Sequence, residues 1–373
     1  MVRKILKKGV LFATQLLKRR SLPTRFVLKE VTNAKESAFQ FSPSQSHNRL
    51  LEAIHPKFSY ERGEVKLWQR DARLKLWELL GGVVPAKPTV EHLVWTAEDT
   101  AGYYKKIIIE TDTGDCMPVY RCQPKIGREP DKWVICLQGH TSGMHVSLAV
   151  DQDSETKRID VAGDRNLVDW CLENGYGAYC LEVRSLGTRG ESLQDKSSTH
   201  PCENAAMRSL LLGQTLMGER VSDIAMLATY IKNSEHSHSK AIGIMGNSLG
   251  GTLGIYASAI VDDISFAIAG SCVSSFCDSI FSIYHCTDLY IPNMLSHFEF
   301  GDIIGLASPK PMLITQAVND RIFPISGLRS AFKQGKKIYT TMGAPKNLKL
   351  LVGFSGHRFY GQLASSGCAE LFN

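Results

Sequence analysis

The sequence predicts an α/β fold built on one mostly parallel central sheet with helices on both faces. Three observations predict it. Apolar runs of strand length recur along most of the chain, helix-patterned segments stand between them, and the runs are nearly continuous rather than alternating. Continuous apolar strands are buried on both faces, which is what a parallel sheet between helical layers requires.

The elements follow in order. In "VKLWQRDARLKLWELLGG" (65–82), Leu67, Trp68, Leu74, Leu76, Trp77 and Leu80 recur at helical spacing, and Gly81 ends the helix. "KIIIETDTGDCMPVYRCQP" (106–124) reads as a hairpin of two strands. "WVICLQGH" (133–140) is a strand running into a turn. A helix around "RNLVDWCLENG" precedes the strand "YGAYCLEVRS" (176–185), and a longer one around "GERVSDIAMLATYIKN" precedes "AIGIMGNS" (241–248). "ISFAIAGSCV" (264–273), "KPMLITQAVND" (310–320) and "NLKLLVGFSGH" (347–357) complete the set. Function in such a sheet sits at the carboxyl ends of its strands, here "QGHTSG", "EVRSLG", "GNSLGG", "QAVNDR" and "GFSGHR".

Composition sets the limits. The 373 residues are 43% hydrophobic and 21% charged, enough for one large domain with a substantial core. The net charge of +6 is uneven: residues 1–29 hold nine Lys or Arg and no acidic residue, leaving 34 basic against 37 acidic residues elsewhere. A nucleic-acid-binding main body is not expected on that balance. The sequence divides into a basic N-terminal extension and linker (1–48) and a main domain (49–373), with the polar, Ser-rich stretch 30–48 read as a linker or extended arm. Residues 1–20 read as a basic helix offering at most weak peripheral contact with a membrane. Ten scattered cysteines without a CxxC pair read as reduced, mostly buried side chains of a cytoplasmic protein.

Gly246-Asn247-Ser248-Leu249-Gly250 fits G-x-S-x-G between a strand and the apolar helix "LGGTLGIYASAIV". In that context Ser248 projects from a sharp turn above the sheet, with Gly246 and Gly250 giving it room. A serine hydroxyl is barely ionised at neutral pH and needs a base oriented by an acid. Asp320 and His357 end later strands in the order serine, acid, histidine. Asn319 is a rival to Asp320, while Asp262 and Asp263 precede a strand and belong to the opposite end of the sheet. Two N–H donors are expected to face the developing oxyanion: Leu249, next to the nucleophile, and a donor within Gly139, His140 and Thr141, with His140 favoured. Gly139, Thr141 and His285 are candidate substrate contacts, although core or loop packing also accounts for His285. Arg184 and Asp223 read as parts of structural ion pairs. His236 and His238 read as a solvated loop, and no spacing suggests a metal site or a cofactor.

These segments together resemble the acetyl xylan esterase and dienelactone hydrolase-like branch of the α/β-hydrolases. The resemblance runs from about residue 55 to the C-terminus through "WQRDARLKLWELLG", "CLQGHTSG", "EVRSLGTRGES", "GQTLMGERVSD", "GIMGNSLGGT", "IYHCTDLYIPNML", "LASPKPMLITQAVNDRIFP" and "GFSGHRFYG". It implies a serine esterase with Ser248, Asp320 and His357 as its triad, acting on short-acyl esters such as acetates. Dienelactone hydrolases proper carry cysteine where this chain has Ser248, so their lactone specificity does not follow. A thioesterase, acyltransferase or peptidase can use the same machinery, and a non-catalytic binding protein can share the scaffold.

Overall fold

The computed structural model describes residues 41–127, 129–140, 142–191, 201–234 and 241–372. The basic segment 1–20, Thr141, His236 and His238 lie outside the described residues. Two compact units are separated after Ile54. In the first, residues 43–48 are not the extended linker that the polar composition suggests. They open helix α1 (Pro43–Ala53), in which proline occupies the first turn and no residue is buried. Proline suits that position because its missing N–H has no intrahelical acceptor there.

The second unit holds a nine-stranded sheet: β1 (Pro88–Glu98), β2 (Gly102–Thr111), β3 (Cys116–Pro124), β4 (Lys132–Leu137), β5 (Gly177–Leu181), β6 (Ala241–Asn247), β7 (Ile264–Gly270), β8 (Met312–Ala317) and β9 (Leu348–Gly353). The spatial order is β1-β2-β3-β5-β4-β6-β7-β8-β9. The pairs β1–β2, β2–β3 and β3–β5 are antiparallel, and the other five are parallel. The predicted hairpin and six parallel strands are all present. The edge strand β1 is an addition; its apolar residues Val90, Leu93 and Val94 are exposed, so "PTVEHLVWTAE" lacks the long buried run of the central strands.

The helices of this unit are α2 (Val65–Leu79), α3 (Met144–Leu148), α4 (Leu167–Glu173), α5 (Pro201–Leu211), α6 (Leu216–Asn233), α7 (Leu249–Ile260), α8 (Phe300–Leu306), α9 (Ile325–Thr341) and α10 (Gly361–Leu371). They cover the sheet in two layers, and alternation along each strand supplies both. Trp133, Ile135 and Leu137 of β4 join a core with α2, α6, α7, α8 and α9, while Val134 and Cys136 point to a second core with α3, α4 and α10. Met312 and Ile314 against Leu313 repeat the division on β8. All ten cysteines are free, and seven of them are buried. No helix among the described residues is long and apolar enough to cross a membrane.

The chain moves from β4 to β5 on one side and then returns to β6 on the other. Strand order therefore reverses at β4, and the loops leaving β4 and β6 diverge around a crevice at their carboxyl ends. The registers Cys136↔Met245 and Leu137↔Gly246 bring the turn after β4 directly beside the turn after β6.

Candidate active site

Ser248 occupies the turn between β6 and α7 with φ 57° and ψ −124°. A positive φ is uncommon for a residue with a side chain and costs about 1–3 kcal/mol unless its surroundings impose it. The surroundings here are tight. The Ser248 N–H donates to Gly270 O at 2.8 Å, and its carbonyl accepts from Thr252 N at 2.9 Å. Glycine is required on either side: a Cβ on Gly246 would lie 2.3 Å from the carbonyl carbon of Gly250, and one on Gly250 would lie 2.2 Å from Leu137 O.

The turn after β4 presses on the same serine. A Cβ on Gly139 would sit 3.1 Å from Ser248 Cβ. Leu249 opens α7, so its N–H is one of the first donors of a helix, which have no intrahelical acceptor. Leu249 and His140 follow Ser248 and Gly139, which the two turns bring side by side.

Asp320 and His357 meet across two loops. His357 Nδ1 is 2.8 Å from Asp320 Oδ2. The Asp320 side chain is fully buried, and its Oδ1 accepts from the backbone N–H groups of Ile322 at 2.9 Å and Phe323 at 3.1 Å. The Phe323 ring stacks on His357 at 6.0 Å between centroids. Asn319, the rival acid position, instead accepts from Gly356 N at 2.9 Å and holds the loop that carries His357. Asp262 pairs with Arg73, and Asp263 pairs with Lys232; both lie before β7, at the amino end of the sheet.

The end of β7 links the serine turn to the histidine loop. Gly270 accepts from Ser248 N, and the hydroxyl of the next residue, Ser271, donates to Arg358 O at 2.6 Å. Gln316 at the end of β8 accepts from Cys272 N and Val273 N and donates to Phe323 O, which fixes the Asp320 loop to the same strand end. A cavity of about 20 Å³ beside this assembly is lined by Thr252, Cys272, Phe276, Ser279 and Phe323 among others. A larger cavity of about 580 Å³, lined by Trp95, Tyr104, Leu148 and Arg158, includes none of these groups.

The remaining predicted contacts are placed as follows. His285 is buried, with Nε2 3.0 Å from the Ser279 hydroxyl. Burial pushes its pKa down, and the His140 charge adds to that. Arg184 is a structural ion-pair partner, donating to Asp223 at 2.8 Å and to Asp115 at 2.8 Å; Arg189 also donates to Asp223 at 2.8 Å.

One group escapes sequence reasoning. His140 Nε2 lies 3.0 Å from both Asp288 oxygens, and Asp288 Oδ2 accepts from the fully buried Arg220 at 2.5 Å. Burial alone would lower the His140 pKa, but the hydrogen bonds to Asp288 and Cys286 outweigh it and raise it to about 9. Burial disfavours the Asp288 carboxylate, yet the Arg220 and His140 charges hold it well below the usual range. Arg220 also donates to Arg184 O at 3.1 and 2.9 Å. Cys202 joins the group, so four side chains of metal-ligand type stand together although no spacing suggests them. Only the short "HCTD" string is a local signal, and its partners lie 148 and 68 residues away in the chain.

No protein-family model matches the chain. A protein of Bacillus subtilis (strain 168) named "Putative hydrolase YtaP" is 21% identical over 293 residues, covering 77% of this chain and 93% of that protein. The structure resembles a "putative acetyl xylan esterase" from Bacteroides fragilis NCTC 9343, with a TM-score of 0.69 at 16% identity over 85% of this chain and 84% of that one. It also resembles Methylesterase BT1017, with a TM-score of 0.64 at 15% identity over 88% of this chain and 68% of that one. The fold is that of the α/β-hydrolases. In this fold the serine turn follows β6, the Asp320 loop follows β8 and the His357 loop follows β9, all at one end of the sheet. A glucuronoyl esterase from Solibacter usitatus shares the architecture, with a TM-score of 0.58 at 12% identity over 86% of this chain and all of that one.

Proposed function

We propose that this chain is a serine hydrolase of carboxylic esters with short acyl groups, formed by the domain 49–373 behind a basic extension 1–48. The observation that carries the reading is the 2.8 Å contact of His357 Nδ1 with a buried Asp320, at the sheet end where Ser248 sits on a positive-φ turn. Asp320 holds the imidazole with Nδ1 protonated, which leaves Nε2 to take the Ser248 proton. The Ser248 oxygen adds to the ester carbonyl, and the Leu249 and His140 N–H groups receive the oxyanion. His357 then protonates the leaving alcohol as the acyl enzyme forms. Water, deprotonated by His357, attacks that intermediate and releases the acid and Ser248.

The names of the similar proteins support the same class, since they include esterases and a hydrolase. The name of the acetyl xylan esterase among them supports a short acyl group. The N–H pair, Gly139 and His285 line the proposed approach to Ser248, with Thr141 beside them in sequence. Ten free cysteines support a reducing compartment such as the cytoplasm.

The test is kcat/KM on esters of one alcohol with acyl chains from acetyl to octanoyl, beside the matching thioester and amide. The reading expects the acetyl ester to be cleaved best and Ser248→Ala to be inactive. Preference for the thioester or the amide assigns the machinery to a thioesterase or peptidase, and no turnover of any member by folded protein overturns the hydrolase reading.

A further inference from the structure

The cluster under the turn after β4 is left over by the ester chemistry. A ring nitrogen of His140, Cys202 Sγ, Cys286 Sγ and an Asp288 oxygen all lie within 4.8 Å of one another. They come from four places: the turn after β4, helix α5, the loop after β7, and the 3-10 turn Thr287–Leu289. Cys202 and Asp288 are buried, and Cys286 and His140 are partly so. The Cys286 sulfur thus has both the Cys202 sulfur and the His140 imidazole within 4.8 Å.

We propose that His140, Cys202, Cys286 and Asp288 form a zinc site that clamps the turn after β4. Two thiolates, one imidazole and one carboxylate are the donor types zinc takes, four of them in a tetrahedron. Ordinary zinc bond lengths put the edges of that tetrahedron at about 3.3–3.8 Å, so groups already within 4.8 Å close on the ion by about 1 Å or less. The charge also balances: the two thiolates and the carboxylate are offset by the divalent ion together with the Arg220 guanidinium. Zinc takes a neutral imidazole and two thiolates, so any proton these groups carry is released on binding.

The outer shell is built as a carboxylate ligand needs. Arg220 holds Asp288 Oδ2, the ion would take the place of the His140 contact at Oδ1, and Arg220 is itself fixed by Arg184 O. Pairing of Cys202 with Cys286 as a disulfide would use two of the four groups and leave His140 and Asp288 unexplained. The ion would be structural. It would tie α5 and the "HCTD" turn to the residue whose N–H is the second proposed oxyanion donor.

The test uses the full chain, purified under reducing conditions, stripped with a chelator and titrated with Co²⁺ as a visible substitute for zinc. The expected result is one cobalt per chain with a thiolate-to-cobalt charge-transfer band. That band should fall in Cys202→Ser and in Cys286→Ser and be unchanged in Cys277→Ser. A second measurement needs no variant: zinc should slow alkylation of Cys286 by iodoacetamide several-fold, and chelation should restore it. Absence of stoichiometric cobalt binding, a band indifferent to both cysteine variants, or no protection of Cys286 overturns the site. A disulfide formed between Cys202 and Cys286 by peroxide in protein that binds no cobalt overturns it in favour of a redox pair. Ser248→Ala should bind cobalt as wild type does, so failure of the ester reading leaves this result standing.

Discussion

Gly246→Ala is the substitution whose effect the geometry bounds most closely. The added methyl carbon would lie 2.3 Å from the Gly250 carbonyl carbon and 2.5 Å from its oxygen. Carbon atoms rest at about 3.5–4.0 Å, so about 1.2 Å must open between the end of β6 and the first turn of α7. Gly250 has no room to retreat, because it is packed on β4, where a Cβ would meet Leu137 O at 2.2 Å. The displacement therefore passes through Ser248. A misplacement of about 1 Å costs on the order of 100-fold in rate, and forcing a methyl into a filled site costs about 1–3 kcal/mol of stability. Gly254→Ala is the matched control in the same helix: its Cβ would meet Ile244 at 3.7 Å, an ordinary contact. That variant should keep full activity and gain up to about 1 kcal/mol from helix propensity. The assay is kcat on an acetyl ester together with urea unfolding of both variants. Wild-type kcat in Gly246→Ala, or equal losses in the two, would refute the reasoning.

Three further outcomes follow from the same contacts. Asp320→Asn keeps the shape but favours the wrong His357 tautomer, so kcat should drop on the order of 10⁴-fold with stability nearly unchanged; a loss under tenfold would mean another group orients the ring. Asp288→Ala strands the buried Arg220 charge and should cost roughly 3–5 kcal/mol in urea unfolding. Arg220→Met with Asp288→Leu should recover most of that, and a double variant no more stable than the single would contradict the explanation. Burial, then the Arg73 charge, lowers the Lys310 pKa to about 8 from 10.5. The unfolded chain thus binds the extra proton between those values, and stability should rise with pH across that window by at most about 3 kcal/mol. Lys310→Met should lose that rise relative to wild type, and identical pH profiles would rule out Lys310 as its source.

The parallel core of the fold is legible because its strands are buried on both faces and read as unbroken apolar runs, as "WVICL" and "AIGIM" do. Strand β1 is not legible, since its exposed edge shows no such run. Helix α9 is open to a helical reading, since its buried Leu328, Ala331, Gly335, Ile338 and Tyr339 recur at helical spacing. The first turn of α1 hides in a Ser-rich stretch because it buries nothing. The strand-end positions of Ser248, Asp320 and His357 are legible because each follows an apolar strand and the turn chemistry is local. The role of Asn319 as a brace for the His357 loop depends on a contact 37 residues away. Arg220, Asp288 and His140 are harder still: an arginine on an amphipathic helix and an aspartate in a loop look solvated, and only the folded chain buries them against one another.

The central claim is that Ser248 is a nucleophile activated by His357. Its most direct measurement is intact-mass and peptide mapping of the full chain after reaction with a fluorophosphonate probe. The account predicts one adduct per chain, carried by Ser248, absent in folded Ser248→Ala and strongly slowed in His357→Ala. Folded wild-type protein that stays unlabelled, or labelling that persists unchanged in Ser248→Ala, would contradict it.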